Sequence, residues 1–298
     1  MNGRIRVFFL LTFLVAILPS VNVYGRANDT DYNESGTKVV AFHASLETAL
    51  ARRNLKPAEF CDPRDLVSRR ILKDYGAVFL AADSVLSPPV CIFSDAKAVD
   101  DFQKQMRIAS AEIGASKIEL QSAAMKALLA AQKEAVADGS NITPRDGAEA
   151  ARRDYEDSIR LWNSRLFPAL DYWQKRGKLS ISEVQRVSLL PVRDQIGAVL
   201  QLEDRGIFFS RDFSKSILYS VAAPGASQHL SLLAFDVNEH SDEKVRRILA
   251  RHGWFRTVKN DAPHFTFLGL EEKDLPSRGL RKLITPAGEF WIPNLENY

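Results

Sequence analysis

The chain has 298 residues, 46% hydrophobic and 26% charged, and its 40 basic against 37 acidic side chains leave a formal net charge of +3. That is the composition of an ordinary globular protein, and so even a charge balance excludes the broad basic face that nucleic-acid binding requires. Two cysteines are too few for a four-ligand structural zinc site.

Residues 1–25 read as a secretory signal. Arg4 and Arg6 precede an apolar run at residues 7–18, Pro19 breaks it, and the small Gly25 suits a signal peptidase. The run is shorter than the roughly 20 residues that span a bilayer, and no later stretch is a candidate. The expectation is an exported protein, periplasmic or extracellular, with no stable membrane insertion after cleavage. Outside the cytoplasm Cys61 and Cys91 can bridge, although two buried thiols would look the same in sequence.

Residues 26–94 form a small mixed α/β region. After a polar tether, "SLETALARRN" (residues 45–54) is expected to be helical. "AVFLAA" (77–82) and "PVCIF" (89–93) are expected to be short strands, bounded by Gly76 and the Pro88-Pro89 pair. Residues 95–178 predict a long antiparallel helical hairpin. Val99, Phe102, Met106, Ala109, Ile113, Leu120, Ala124, Ala127 and Ala131 recur every three or four positions in a first apolar stripe. "DGSNITPRDG" (138–147) interrupts it, and Ala151, Tyr155, Ile159, Trp162, Leu166, Leu170 and Trp173 resume it. No histidine lies between residues 44 and 228, so the hairpin reads as a spacer or partner-docking arm and not as a metal bundle.

Residues 179–298 predict an α+β domain. Ser180 and Glu183 have capping-box spacing for a helix reaching about Leu202. Short β-rich runs ("IFF", "SILYSVAA", "LLAFDV"), a helix in "DEKVRRILARHG" and a closing strand in "HFTFLGL" follow.

The chemistry concentrates in this last region, which holds four of the five histidines. In "PGASQHLSLLAFDV" (224–237), His229 and Asp236 flank an apolar run that would hold them roughly 23 Å apart if extended at ~3.3 Å per residue, so the chain must bend for them to meet. A buried carboxylate needs an opposite charge, the stretch contains no Lys or Arg, and a divalent cation would supply it. In "NDAPHFTFLG" (260–269), His264 opens an alternating strand with Phe265 and Phe267 toward the core and His264 and Thr266 on the other face. Two imidazoles and a carboxylate, with a fourth position for water, make an open catalytic zinc site. Asp261, turned by Pro263, is placed to act as general base.

These two stretches resemble the signatures of the VanY-like D-Ala-D-Ala carboxypeptidases, zinc peptidases of the lysostaphin, D-Ala-D-Ala peptidase and hedgehog-like group. "PGASQHLSLLAFDV" resembles the Ser-x-His-x6-Asp signature, and "DAPHF" resembles the second, in which an acidic residue precedes the last zinc-binding histidine by three positions. The resemblance covers residues 205–270. It implies a zinc domain with a small antiparallel sheet, Zn2+ on His229, Asp236 and His264, Asp261 as the acid/base, and Ser227 beside the substrate. It also implies hydrolysis of peptide bonds in peptidoglycan stem peptides, most readily as a D-alanyl-D-alanine carboxypeptidase. The alternatives are an endopeptidase of the same group, or an exported wall-binding scaffold that keeps the fold without the activity. Many relatives carry Glu and Trp where this chain has Asp261 and Pro263, and others carry Gly where it has Leu232 and Leu233. The family's arginine-bearing segment, which holds the substrate carboxylate, has no recognisable counterpart; Arg193 and Arg211 are the candidates.

Overall fold

The computed structural model describes residues 40–295, so the expected signal segment, residues 1–25, lies outside the described residues. Helices α1 (Phe42–Arg52), α2 (Pro57–Phe60) and α3 (Leu66–Tyr75) come first. Asp65 caps α3 by accepting a hydrogen bond from the Ser68 amide, which satisfies one of the donors a helix start leaves open. The strands expected at 77–82 and 89–93 do not form. Gly76–Leu80 is a 3-10 turn, and 89–93 is a series of bends. Ala77, Val78, Phe79 and Leu80 are all buried. Their apolar run signalled burial, and a short run of this kind does not separate a buried turn from a buried strand. Cys61 and Cys91 are joined by a disulfide.

The long helical hairpin expected over 95–178 is not there. Helix α4 (Ala96–Gln103) is followed by a β-hairpin, β1 (Ile108–Ile113) and β2 (Ser116–Gln121), and then by α5 (Ser122–Ala137) and α6 (Tyr155–Lys175). The reason is legible afterwards. Ala109, Ala111 and Ile113 alternate with Ser110 and Glu112, and Ile118 and Leu120 are buried while Lys117 is exposed and Glu119 between them is half-buried. Gly114, at φ +62°, starts the two-residue loop between the paired Ile113 and Ser116, the position where hairpin turns need a positive φ. Ala109, Ile113 and Leu120 therefore satisfied a period of two as well as the helical stripe.

The Ser180–Glu183 capping box forms at the start of α7 (Ile181–Leu189). The single helix expected to reach about Leu202 breaks where Leu190 turns extended ahead of Pro191, and α8 (Val192–Asp204) starts anew. The runs at 207–209 and 216–223 contain no strand; Ile217–Tyr219 is a 3-10 turn.

Strands β3 (Ala234–Asp236), β4 (Trp254–Phe255) and β5 (His264–Phe267) make an antiparallel sheet in the order β3-β5-β4, with helix α9 (Glu243–Arg251) between β3 and β4 in the chain. A separate hairpin, β6 (Leu280–Thr285) and β7 (Gly288–Pro293), follows. The described residues are thus α+β, with small antiparallel sheets.

A single hydrophobic cluster contains Phe42, Leu128, Trp162, Phe235 and Trp254, drawn from all three expected regions. All described residues fall within one unit, Tyr32–Tyr298, so positions 94 and 178 are not seams between separately packed domains. Residues 95–178 are wall and not arm: α5 and α6 bury Leu128, Ala131, Trp162 and Leu166 in the common core, which removes the basis for a free docking hairpin. Among the described residues no helix is long and apolar enough to cross a membrane.

Gly225 is the one glycine whose neighbourhood decides the site. At φ +78° it lies so close to residue 93 that a Cβ would come 2.1 Å from the Phe93 carbonyl oxygen, and its own carbonyl accepts from the Phe93 amide at 2.9 Å. The disulfide therefore restrains a segment that in turn seats the turn carrying Ser227 and His229. Replacing both cysteines by serine is expected to lower stability by about 3–4 kcal/mol, from the loop-closure entropy returned to the unfolded chain. Urea unfolding, with reductant acting on wild type alone, checks it.

Candidate metal centre

The bend that the sequence required is a 3-10 turn, Gln228–Ser231, ended by Leu232 in the left-handed conformation at φ +55°. A non-glycine residue there costs roughly 1–2 kcal/mol, offset by a side chain wholly withdrawn from water. The turn folds His229 back over the end of β3. Across the sheet, Asp236 is the register partner of His264, so their side chains leave the same face. Thr266 shares that face, while Phe265 and Phe267 lie on the other with Phe235 and Trp254.

His229 Nε2 lies 3.4 Å from Asp236 Oδ2, and His264 Nδ1 lies 3.1 Å from Asp236 Oδ1. One potential ligand atom from each of the three residues lies within 4.8 Å of the others.

Hydrogen bonds on the far side of each ring assign the protons. His229 Nδ1 is 2.8 Å from the Ala151 carbonyl oxygen, which can only accept, so Nδ1 carries the proton and Nε2 turns a lone pair toward Asp236. The Gln228 amide nitrogen donates to the Tyr75 carbonyl at 2.9 Å, which leaves Gln228 Oε1 as an acceptor. Oε1 takes the proton of His264 Nε2 at 2.9 Å and that of the Thr266 hydroxyl. His264 Nδ1 therefore also faces Asp236 with a lone pair. Three acceptors converge, with Arg153 Nη2 donating to Asp236 Oδ2 from one side, and His229 Nε2 is a buried nitrogen with no hydrogen-bond partner. Acceptors repel one another at such distances unless a cation lies among them. The donor set, two imidazoles and a carboxylate, suits zinc.

Arg153 is the charge that the sequence did not reveal. Its Nη2 lies 2.8 Å from Asp236 Oδ2, the carboxylate oxygen turned away from His264. Burial drives the His229 pKa down to about 4, with the Arg153 charge adding to the effect. Burial would raise Asp236, but His229 and His264, when protonated, outweigh it and hold the carboxyl well below its ordinary value. Asp261 stands at the rim with an exposed side chain. Crowding by the cleft and the neighbouring Asp236 charge raise its pKa against the pull of His264, which moves it toward the range of a working general base.

The segment at residues 142–153, expected as the end of a break and the start of a helix, is instead threaded along the site. Pro144 bridges Val237, the Arg145 amide donates to the Asp236 carbonyl at 2.9 Å, and the Asn238 amide donates to the Thr143 carbonyl at 3.1 Å. Glu239 locks it from outside by accepting from the Thr143 amide and hydroxyl at 2.8 and 2.7 Å. Ala151 O and Arg153 come to the centre on this segment.

Ser227, Asp261 and the three converging residues line one cleft of about 390 Å³, and Arg145, Arg153, Arg165 and Arg211 line it with them. Arg193 does not reach it. At the start of α8 it pairs with Asp65 at 2.6 Å and the Ser68 hydroxyl at 2.9 Å, closing α8 onto α3. Of the two arginines nominated for substrate, only Arg211 is in place. Gln228, inside the first signature, carried no sequence signal of its role in orienting His264. Arg145 and Arg153 carried no signal beyond basic character beside turn residues.

The chain matches no protein-family model and no curated protein.

In metal-free protein the unfolded chain takes up a proton on His229 near its ordinary value of 6.5, while the folded chain does so only near 4. Stability is therefore expected to fall as pH drops through that window, by up to about 3 kcal/mol, with Asp236 extending the loss to lower pH. Urea unfolding under chelation checks it, and His229→Gln should flatten the slope between those two values.

Proposed function

We propose that the chain is an exported zinc-dependent hydrolase of peptide bonds in peptidoglycan stem peptides, with the hedgehog-like zinc domain and the carboxypeptidase activity that its two signatures imply. The observation that carries this reading is the meeting of three acceptor atoms, on His229, Asp236 and His264, whose outward hydrogen bonds leave only lone pairs facing inward.

Zinc bound by these three residues would supply a Lewis acid that polarises the scissile carbonyl and lowers the pKa of water. The Ala151 carbonyl and Gln228 orient the two imidazoles, and Arg153 holds the carboxylate. Asp261 takes the proton of the attacking water as the new C–O bond forms, and returns it to the amine as the C–N bond breaks. Arg145, Arg165 and Arg211 surround the same cleft with charge that holding a metal does not require, which favours a substrate bearing a carboxylate over an uncharged internal bond. Ser227 lines the cleft beside them as a hydrogen-bonding wall.

Arg153 favours a second reading. It already gives Asp236 a cationic partner, so an exported wall-binding protein could keep this arrangement without a metal. Metal analysis and mass spectrometry of defined muropeptides separate the two. His264→Ala is expected to lose the zinc, and Asp261→Asn to retain it with turnover lowered about a hundredfold or more. Wild-type protein that takes up no stoichiometric zinc and leaves every muropeptide intact would support the scaffold.

A further inference from the structure

The other face of the β3-β5-β4 sheet carries a second cavity, of about 420 Å³, between α9 and the β6-β7 hairpin. Trp254 and Arg256 line its floor, Arg246 and Arg247 come from α9, and Lys282 and Glu289 from the hairpin. Arg256 is only 4% exposed. Its Nη1 donates to the Ala287 carbonyl at 2.8 Å, and its guanidinium lies 4.5 Å from the Phe290 ring centre.

The carboxylates around the cavity are paired with its other cations, Arg247 and Lys282. Glu243 pairs with Arg247 at 3.2 Å, and Glu289 pairs with Lys282 at 3.1 Å. Glu272 holds Lys282 and the Trp291 indole N–H, each at 3.2 Å. Arg246 donates only to the carbonyls of His240 and Ser241, and among the described residues neither it nor Arg256 forms an ion pair. Arg256 Nη2 and Trp254 Nε1 are buried donors without an acceptor. A buried guanidinium with no counter-ion is expensive, and two unmet N–H donors on residues that line one cavity add to the cost. Burial, then the Arg246 charge, push the Arg256 pKa down to about 10 against the pull of Glu289.

We infer that this cavity is an anion site, taking a phosphate group either free or carried on a small organic body. Its donors come from three directions, the helix through Arg246, the strand through Trp254 and the following loop through Arg256. A tetrahedral oxyanion meets such an arrangement, whereas a planar carboxylate is better served by a single bidentate arginine. The cavity is roomier than inorganic phosphate requires, and aromatic rings wall it.

Calorimetric titration of the full chain, kept under chelator so that the His229 centre holds no metal, tests this with inorganic phosphate, glucose 1-phosphate and acetate. Both phosphates are expected to bind and acetate to bind far more weakly. Tighter binding of glucose 1-phosphate points to an organic body, and equal binding to free phosphate. Arg256→Gln should abolish binding and Arg246→Gln, on the half-buried face of a helix, should weaken it about tenfold or more without endangering the fold. Arg211→Gln should leave it unchanged. Absence of phosphate binding in wild type, or acetate binding as tightly as phosphate, overturns the inference. So does binding that survives Arg246→Gln and disappears in Arg211→Gln, because the anion would then sit in the catalytic cleft.

Discussion

Three lone pairs that face each other across a buried carboxylate impose the constraint on which the rest of the site depends. A neutral imidazole has one donor and one acceptor, so fixing the donor outward fixes the acceptor inward. His229 is fixed by a backbone carbonyl and His264 by an amide whose own orientation is set by a second carbonyl. Neither ring can turn without leaving a buried polar atom unpaired, which makes the arrangement stiff before any ligand arrives. Such pre-organisation is what a metal centre needs from its protein.

The elements behind the centre divide the work. The sheet register sets Asp236 against His264, and the left-handed residue Leu232 brings His229 back over the strand end. The long connection between α5 and α6 closes the ring by delivering the Ala151 carbonyl and Arg153. That connection is held at both edges, by backbone pairing to residues 236–238 and by the Glu239 carboxylate. Residues far apart in sequence thus share one small volume. The same sheet divides two chemistries: on one face acceptors converge, and on the other lie buried donors and cations.

Legibility in the sequence followed the range of the interaction. The Ser180 capping box and the alternation of His264 to Phe267 were readable because each depends on residues within one turn or one strand. The candidate cluster of His229, Asp236 and His264 was likewise readable from two short stretches, although it took the bend at Leu232 to bring the three together. The region from 95 to 178 misled because Ala109, Ile113 and Leu120 fit two periods at once, and Gly114 alone spoke for the hairpin. The apolar runs near residues 78 and 217 are buried in 3-10 turns and not in the expected strands, since burial can be reached in a turn as well as in a sheet.

By itself the chain's order of residues determined that an acid and two imidazoles would lie in apolar surroundings near the C-terminal end, for composition and local period are local properties. Only the tertiary structure decided which charges surround them. Arg153 reaches Asp236 across 83 positions while Arg193 turns away to Asp65. An arginine's partner depends on where its backbone is carried by packing against distant elements, and no local pattern encodes that path.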